Sequence, residues 1–337
     1  YVKNCEEKDK LIHKPVASRR HPFLMVFWVR DIIRAMRITK TGRIGIRALS
    51  VLLVLSLLVF SAGAAQAAEK GKHFLWRVHS GSSTAYLLGS IHVLKKGFYP
   101  LSREIEDAFD GSSVLAVEAN IDDVGRIDIT KMIGKATYPS GDSVEKHLSP
   151  GTYGLLKKEL AADGIPLELV MMQRPWFIAL TLTSFTLLKS GYDPAYGIDQ
   201  HFISEAERKK KIVELEGFDY QVNLLSGLSD KEQEVFLLST IKDLHSLDRE
   251  ADRLISAWRK GDIQTVASLI AGAGQERGMS LVYDKILYER NRNMADKIER
   301  LLSQGQTAFV VVGAGHLVGD KGIVRILQER GYEVDQL

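Results

Sequence analysis

The stretch "YLLGSIHVL", residues 86–94, decides the fold of this chain. An apolar, aromatic-rich run enters Gly89 and presents an imidazole, His92, three residues later. Far along the chain, "FVVVGAGHLVG", residues 309–319, repeats the arrangement with Gly313 and His316. Apolar runs of this length, rich in β-branched residues, are buried strands. Glycine at a strand end leaves the backbone free to turn sharply and to approach a ligand closely.

Outward from these two strands the chain alternates strand and helix, the signature of an α/β fold. "FLWRVHS" (74–80) and "TAYLLGSIH" (84–92), separated by "GSS", form a hairpin. "SREIEDAF" (102–109) opens on Ser102 and an acidic turn, as helices do, and "SVLAVEAN" (113–120) is a buried strand ending at Glu118. "SPGTYGLLKKELAADG" (149–164) carries helix start and stop signals, and "WFIALTLTSFTLL" (176–188) is a buried helix too short to cross a bilayer. "GIDQHFISEAERKKKIVELEG" (197–217) reads as helix then strand, closing on Glu216. One long amphipathic stretch is expected over 229–260 and a helix over about 281–303, with "GIVRILQERGYEVDQL" (322–337) closing as helix and short strand. The expected fold is therefore α/β, a mixed central sheet flanked by helices, with a helical middle insertion over about 149–303 of a single domain spanning 68–337.

The net charge of +3 conceals an uneven distribution. Residues 1–67 hold 12 of the 45 Lys/Arg and only 4 of the 42 Asp/Glu, which leaves the remainder at −5. The basicity belongs to a leader, and nucleic acid is not an expected partner. From Met36, "MRITKTGRIGIR" is a basic segment, "ALSVLLVLSLLVF" an apolar run of thirteen residues, and "SAGAAQA" supplies the small residues of a cleavage site. Residues 36–67 are thus expected to be a signal peptide cleaved before Ala68, giving an exported, periplasmic or secreted protein with no stable membrane span. Residues 1–35 are expected to be an over-extended N-terminal segment, because Met36 stands where a signal peptide begins. The single cysteine, Cys5, lies there. The exported chain would then have no disulfide, thiolate metal site or cysteine nucleophile.

Seven histidines follow the leader. His73 and His79 flank the first strand, His147 falls in a polar loop and His245 on a helix with charged neighbours. His201 is read as solvent-facing or capping. His92 and His316 differ because each follows an apolar strand with glycine three residues before it, and Glu118 ends a third strand in the same way. Ligands of open α/β sheets bind beyond the carboxyl ends of strands. Two imidazoles and a carboxylate converging there have the ligand set of a divalent-metal site with an open position. Arg290 and Asn291, in "YERNRNM", sit on a helix with core-facing Leu287, Met294 and Ile298. Arg290 would hold a substrate carboxylate or a developing oxyanion, or else make a helix-surface salt bridge. Asp199 and Glu216 are either partners behind the site or solvated charges.

Together "YLLGSIHVL", "LAVEAN", "GIDQHF", "IVELEGFDYQ", "ERNRNMADKI" and "FVVVGAGHLVGDKGIVRIL" with the later "GY" resemble the TraB/GumN family, over residues 73–336. That family includes the Tiki proteins and is similar in fold to erythromycin esterase and the ChaN haem-binding proteins. The resemblance places the paired G-x-x-H motifs on Gly89/His92 and Gly313/His316, the glutamate on Glu118, and the helix arginine on Arg290 beside Asn291. Ser90 and Gly217 depart from it, threonine being common at both. It implies a metal-dependent hydrolase acting on a peptide or protein, with a divalent ion such as Mn, Co or Zn held by His92, Glu118 and His316. Glu118 would be a ligand or the general base. Two other readings are a haem or metal carrier without turnover and an esterase that needs no metal.

Overall fold

The computed structural model describes residues 71–337 except 82, 121, 124–127 and 275–277. The leader expected at 36–67, the segment 1–35 and Cys5 lie outside the described residues.

Six strands form one mixed sheet: β1 (Leu75–Ser80), β2 (Ser83–Ser90), β4 (Val114–Val117), β6 (Lys211–Glu214), β7 (Ala308–Gly313) and β8 (Glu333–Gln336). Their order is β6-β4-β7-β2-β1-β8. β6, β4, β7 and β2 run parallel, and β1 is antiparallel to both β2 and β8. The hairpin expected from "GSS" is present, in register from Leu75↔Leu88 to Ser80↔Ser83. All four residues of β4 and all six of β7 are buried, as strands covered on both faces must be. A second, two-stranded sheet pairs β3 (Leu94–Lys95) with β5 (Tyr192–Asp193) just beyond His92.

Helices surround the sheet. α1 (Arg103–Asp110) and α5 (Ile198–Ala206) bring Phe109 and Phe202 against Phe309 of β7, with ring centroids 5.5 and 4.9 Å apart. Between them in the chain lie α2 (Ile129–Ala136), α3 (Pro150–Ala162) and α4 (Pro175–Lys189). Ser149 caps α3 by accepting from Thr152 N, with Pro150 at its first turn, as the start signal predicts. α4 is the expected buried helix, with Trp176, Ile178, Ala179 and Leu182 in the interior. α6 (Phe218–Ser226) follows Glu216. The helical middle is thus divided by β5 and by β6, an edge strand of the central sheet. No helix among the described residues is long and apolar enough to cross a membrane.

Three local expectations need correction. The amphipathic stretch 229–260 is two helices, α7 (Asp230–Asp243) and α8 (Leu247–Arg259), broken by a turn that carries His245. Only the second half is strongly amphipathic, so periodicity does not mark the break, and the capping box of Ser229 and Glu232 marks only the first start. α9 (Ile263–Gly274) has no counterpart in the sequence reading. Its available signal was Asp262, which accepts from Thr265 N at 3.0 Å. The helix expected at 281–303 comprises α10 (Met279–Tyr283), a π turn at Asp284–Tyr288, and α11 (Glu289–Ser303). α12 (Ala314–Leu317) and α13 (Ile323–Glu329) complete the chain around β7 and β8.

Candidate active site at the carboxyl ends of three adjacent strands

The strand order places β4, β7 and β2 side by side, so Glu118, Gly313 and His92 emerge in sequence along one edge. Ser90 is level with Gly313 in the β2–β7 register. Gly313 is the point on which the site converges. A methyl group on its Cα would lie 3.3 Å from Glu118 Oε1, 3.3 Å from His92 Nε2 and 3.4 Å from His316 Cδ2. Glycine here keeps open a cradle that those three side chains border.

Gly89 has a different reason to be glycine. A Cβ there would stand 2.4 Å from Phe74 Cδ1, so its missing side chain accommodates the core and not a ligand. The two G-x-x-H glycines are alike in sequence and unlike in purpose. The Gly89 carbonyl also accepts the Trp258 indole N–H at 2.6 Å, which fixes the end of β2.

Each imidazole is oriented from behind. His316 is buried, and its Nδ1 lies 2.6 Å from Asn291 Oδ1. Asn291, fully buried, donates from Nδ2 to the Lys321 carbonyl at 2.7 Å, which assigns its amide oxygen to the imidazole. His316 Nδ1 must then carry the proton, leaving the Nε2 lone pair directed towards Glu118 Oε1, 3.7 Å away. Burial first, aided by the charges of Arg290 and His92, holds His316 down to about 4 against the pull of Glu118. At neutral pH it is an uncharged donor of a lone pair.

His92 faces Asp199 Oδ1 with Nδ1 at 3.1 Å, and Ser90 Oγ donates to the same oxygen at 2.8 Å. The packing around its inner edge opposes a charge, but 59% of the side chain meets water and the Asp199 attraction prevails, raising its pKa to about 9. Asp199 is therefore a partner behind the site and not a solvated charge.

Glu118 is held by three hydrogen bonds. Its Oε1 accepts from Gly313 N at 2.7 Å, and its Oε2 accepts from Gln221 Nε2 at 3.0 Å and from Arg290 Nη2. Burial works against this carboxylate, yet the charge that His316 takes up in acid, those of Arg290 and His92, and the Gly313 N–H together lower its pKa to about 2.

Arg290 is not the surface salt bridge that one sequence alternative proposes; its side chain is 12% exposed. Its Nε donates to Glu216 Oε1 at 2.8 Å and its Nη2 to Glu216 Oε2 at 2.7 Å and to Glu118, while Nη1 donates to the Ile286 carbonyl at 2.9 Å. Four of the five N–H donors are thus engaged, so the fork positions Glu118 and Glu216 and is not poised for a substrate anion. Ile286 belongs to the π turn, a local widening that recurs at functional sites. Glu216, at 2% exposure, is likewise no solvated charge.

Gln221, which also donates to Glu216 Oε2 at 3.2 Å, was not singled out by sequence reasoning. Nothing in a single exposed-looking glutamine on an amphipathic helix distinguishes it. The remaining histidines stand apart from the site. His147 pairs with Asp142 and Asp230, and His245 is exposed beside Glu159. His201 is half-buried: its ring packs 4.6 Å from Tyr99 and its Nε2 lies 3.7 Å from Glu106 Oε1.

Among the described residues, no three His, Cys, Asp or Glu side chains are drawn together into a ready-made metal cluster. The donor chemistry nonetheless fits a divalent ion. Two imidazoles, each facing an oxygen acceptor at Nδ1, direct Nε2 to the cradle that Glu118 Oε1 also borders, an arrangement shared with metal-ligating histidines; an ion there would displace the proton that His92 Nε2 holds at neutral pH.

An α/β protein with a glutamate and two oriented histidines at adjacent parallel strand ends is the class that fold and site define. The chain belongs to the TraB/PrgY/gumN family, whose model matches residues 74–336. It is 27% identical over 267 residues to uncharacterized protein YbaP of Escherichia coli (strain K12), covering 78% of this chain and 96% of that protein. It is 24% identical over 312 residues to metalloprotease TIKI1 of Danio rerio, covering 78% of this chain and 62% of that one. Metalloprotease TIKI1 of Homo sapiens is 23% identical over 314 residues, with 78% and 61% covered. No solved structure matches the chain.

Proposed function

We propose that this protein is a metal-dependent hydrolase of peptide bonds. The observation that carries the reading is the convergence of His92, His316 and Glu118 on the Gly313 cradle. The metalloprotease names of the Tiki relatives support the reaction class.

His92 and His316 would hold a divalent ion through Nε2, with Glu118 Oε1 completing the set. Held there, such an ion would supply Lewis-acid chemistry, activating water and polarising the scissile carbonyl. Asn291 keeps the His316 proton on Nδ1, and Asp199 with Ser90 keeps the His92 ring facing the cradle. Arg290, Gln221 and Gly313 N hold Glu118 as a carboxylate. Both Glu118 oxygens already accept hydrogen bonds, from Gly313 N, Gln221 and Arg290, which favours ligation and charge stabilisation over proton abstraction for this carboxylate. His92, with its outer face open to water, marks the side from which a peptide enters.

We place the reaction outside the cytoplasm, on the leader at 36–67; the intact mass of the exported protein should then start at Ala68. The enzymatic test is cleavage of a synthetic peptide library read by mass spectrometry. Chelator should silence the protein, and Mn, Co or Zn should restore it. His92→Ala, His316→Ala and Glu118→Gln should each lose more than about 10²-fold in rate. Full cleavage in chelator, or in both histidine variants, overturns the reading. A Soret shift on haem addition that His92→Ala abolishes would then put a carrier in its place.

A further inference from the structure

A pocket of about 180 Å³ opens among the helices of the insertion, and none of its lining residues belongs to the candidate site. Three interruptions of regular helix meet there. Leu244 and Leu247 come from the break between α7 and α8, Ala273 from the small-residue end of α9 ("AGAG", 271–274), and Ile286 from the π turn. The short side chains of α9 help to leave the space. A Cβ on Gly274 would stand 3.2 Å from Tyr283 Cδ1, so glycine lets the Tyr283 ring lie against the end of that helix.

The lining defines a ligand class. Phe236, Leu244, Met279 and Ile286 make it largely apolar, while Ser239, Thr240 and Tyr283 add hydroxyls. Thr240 Oγ1 is committed to the Phe236 carbonyl at 2.9 Å. Burial first, then Tyr288 and the charge of Asp243, pushes the Tyr283 hydroxyl up to about 12, so it stays neutral. Among the described lining residues the one charged group is the exposed Asp243 and none is a cation, so nothing in the pocket answers an anion. Size narrows the class further. An apolar cavity of about 150 Å³ admits a benzene ring, whereas drug-sized ligands occupy about 300 Å³ or more. A single ring with a small polar substituent fits, and haem or a length of peptide does not.

Tyr283 and Ile286 tie the pocket to the candidate site. Tyr283 immediately precedes the π turn and Ile286 lies within it, and the Ile286 carbonyl accepts Arg290 Nη1 at 2.9 Å. Arg290 in turn holds Glu118 and Glu216. A ring seated against Tyr283 and Ile286 therefore bears on the turn that anchors Arg290. We propose that this pocket is an effector site for a small, neutral, single-ring aromatic molecule, whose binding is transmitted through the π turn to Arg290. Neither half depends on the hydrolase reading, because binding and response are both measurable without turnover.

The probes are phenol and indole, with benzoate as their anionic counterpart, titrated into the purified protein in chelator. Ligand-observed NMR reads affinity. The Arg290 Nε–H resonance, assigned by its loss in Arg290→Lys, reads the response at the site. Phenol or indole should bind saturably with a dissociation constant of about 1 mM or below, within reach of so small a ligand. Benzoate should bind at least about tenfold more weakly, because its carboxylate would be buried without a partner. Ala273→Phe and Leu247→Trp fill the pocket from two different helices, each at a half-buried position. Each should abolish saturable binding while its far-UV spectrum stays that of the parent. The Arg290 resonance should move in step with occupancy in the parent and stay fixed in the filled variants.

Absence of saturable binding by either ring, or binding that a folded filling variant leaves intact, overturns the proposal. So does binding that leaves the Arg290 resonance unmoved, since the pocket would then be unconnected to the site. Failure of every peptide-cleavage assay, with binding and the Arg290 response intact, removes the hydrolase reading and leaves the effector site standing.

Discussion

Asn291 Oδ1 stands 2.6 Å from His316 Nδ1, while the other end of the same amide is bonded to the Lys321 carbonyl. One fully buried side chain thereby chooses the tautomer of an imidazole it never lets turn. Asn291→Leu keeps comparable volume and removes both bonds. Metal affinity or peptide turnover should fall by about 10- to 100-fold, the usual cost of losing a partner behind a ligating histidine. Calorimetric titration with Mn or Zn checks it, and unchanged affinity would detach Asn291 from the site.

The two G-x-x-H glycines should respond in opposite ways to one methyl group. Gly313→Ala fills the cradle, with contacts of 3.3–3.4 Å to Glu118, His92 and His316, at a φ of −50° that alanine tolerates. Activity should be lost with a melting temperature close to that of the parent. Gly89→Ala drives a Cβ into the buried Phe74 ring at 2.4 Å and should cost about 1–3 kcal/mol of stability by overpacking. Thermal melts and a peptide-cleavage assay of both variants separate these outcomes.

Arg290→Met should be among the most destabilising single changes in the chain. It leaves the carboxylates of Glu118 and Glu216, at 10% and 2% exposure, without their cation. Removing one partner of a buried ionic group costs about 3–5 kcal/mol. Urea unfolding at pH 7 measures it; a loss below 1 kcal/mol would mean the network holds no buried charge.

Away from the site, His147 provides a pH test. Its Nε2 lies 2.9 Å from Asp142 and its Nδ1 3.3 Å from Asp230, and its ring stacks on Tyr138. The Asp142 hydrogen bond first, then Asp230, raises its pKa above the ordinary value in spite of partial burial. A folded-state pKa above the unfolded one stabilises fully at pH values below about 6.5 and ceases to do so as pH rises through the folded value. The melting-temperature gap between the parent and His147→Gln should therefore be widest near pH 5.5 and shrink towards pH 9. A gap that widens with pH would contradict the assignment.

Much of this protein is legible without its structure. The strands at 86–90 and 308–313, the hairpin before them and Glu118 at the end of a buried run all follow from local patterning, because a strand's burial and a helix's cap are written within a few residues. The capping serine and proline of α3 and the uncharged face of α4 are equally local. The twice-used glycine–histidine spacing pointed to the residues that meet at the strand ends.

What tertiary structure decided is everything that depends on strand order and on the far side of each polar group. The sequence contains β2, β4 and β7 but not their adjacency, which is set by crossovers of dozens to hundreds of residues. That adjacency makes Glu118, His92 and His316 one site. The same holds for Arg290: its residue type permitted an anion-binding role, and only its packed surroundings show a fork already filled by Glu216, Glu118 and Ile286. Gly89 and Gly313 look interchangeable in the chain and differ because one lies beneath Phe74 and the other beneath two imidazoles and a carboxylate. Local propensity chooses elements; the identity of each residue's non-local neighbours, fixed by how those elements pack, chooses their roles.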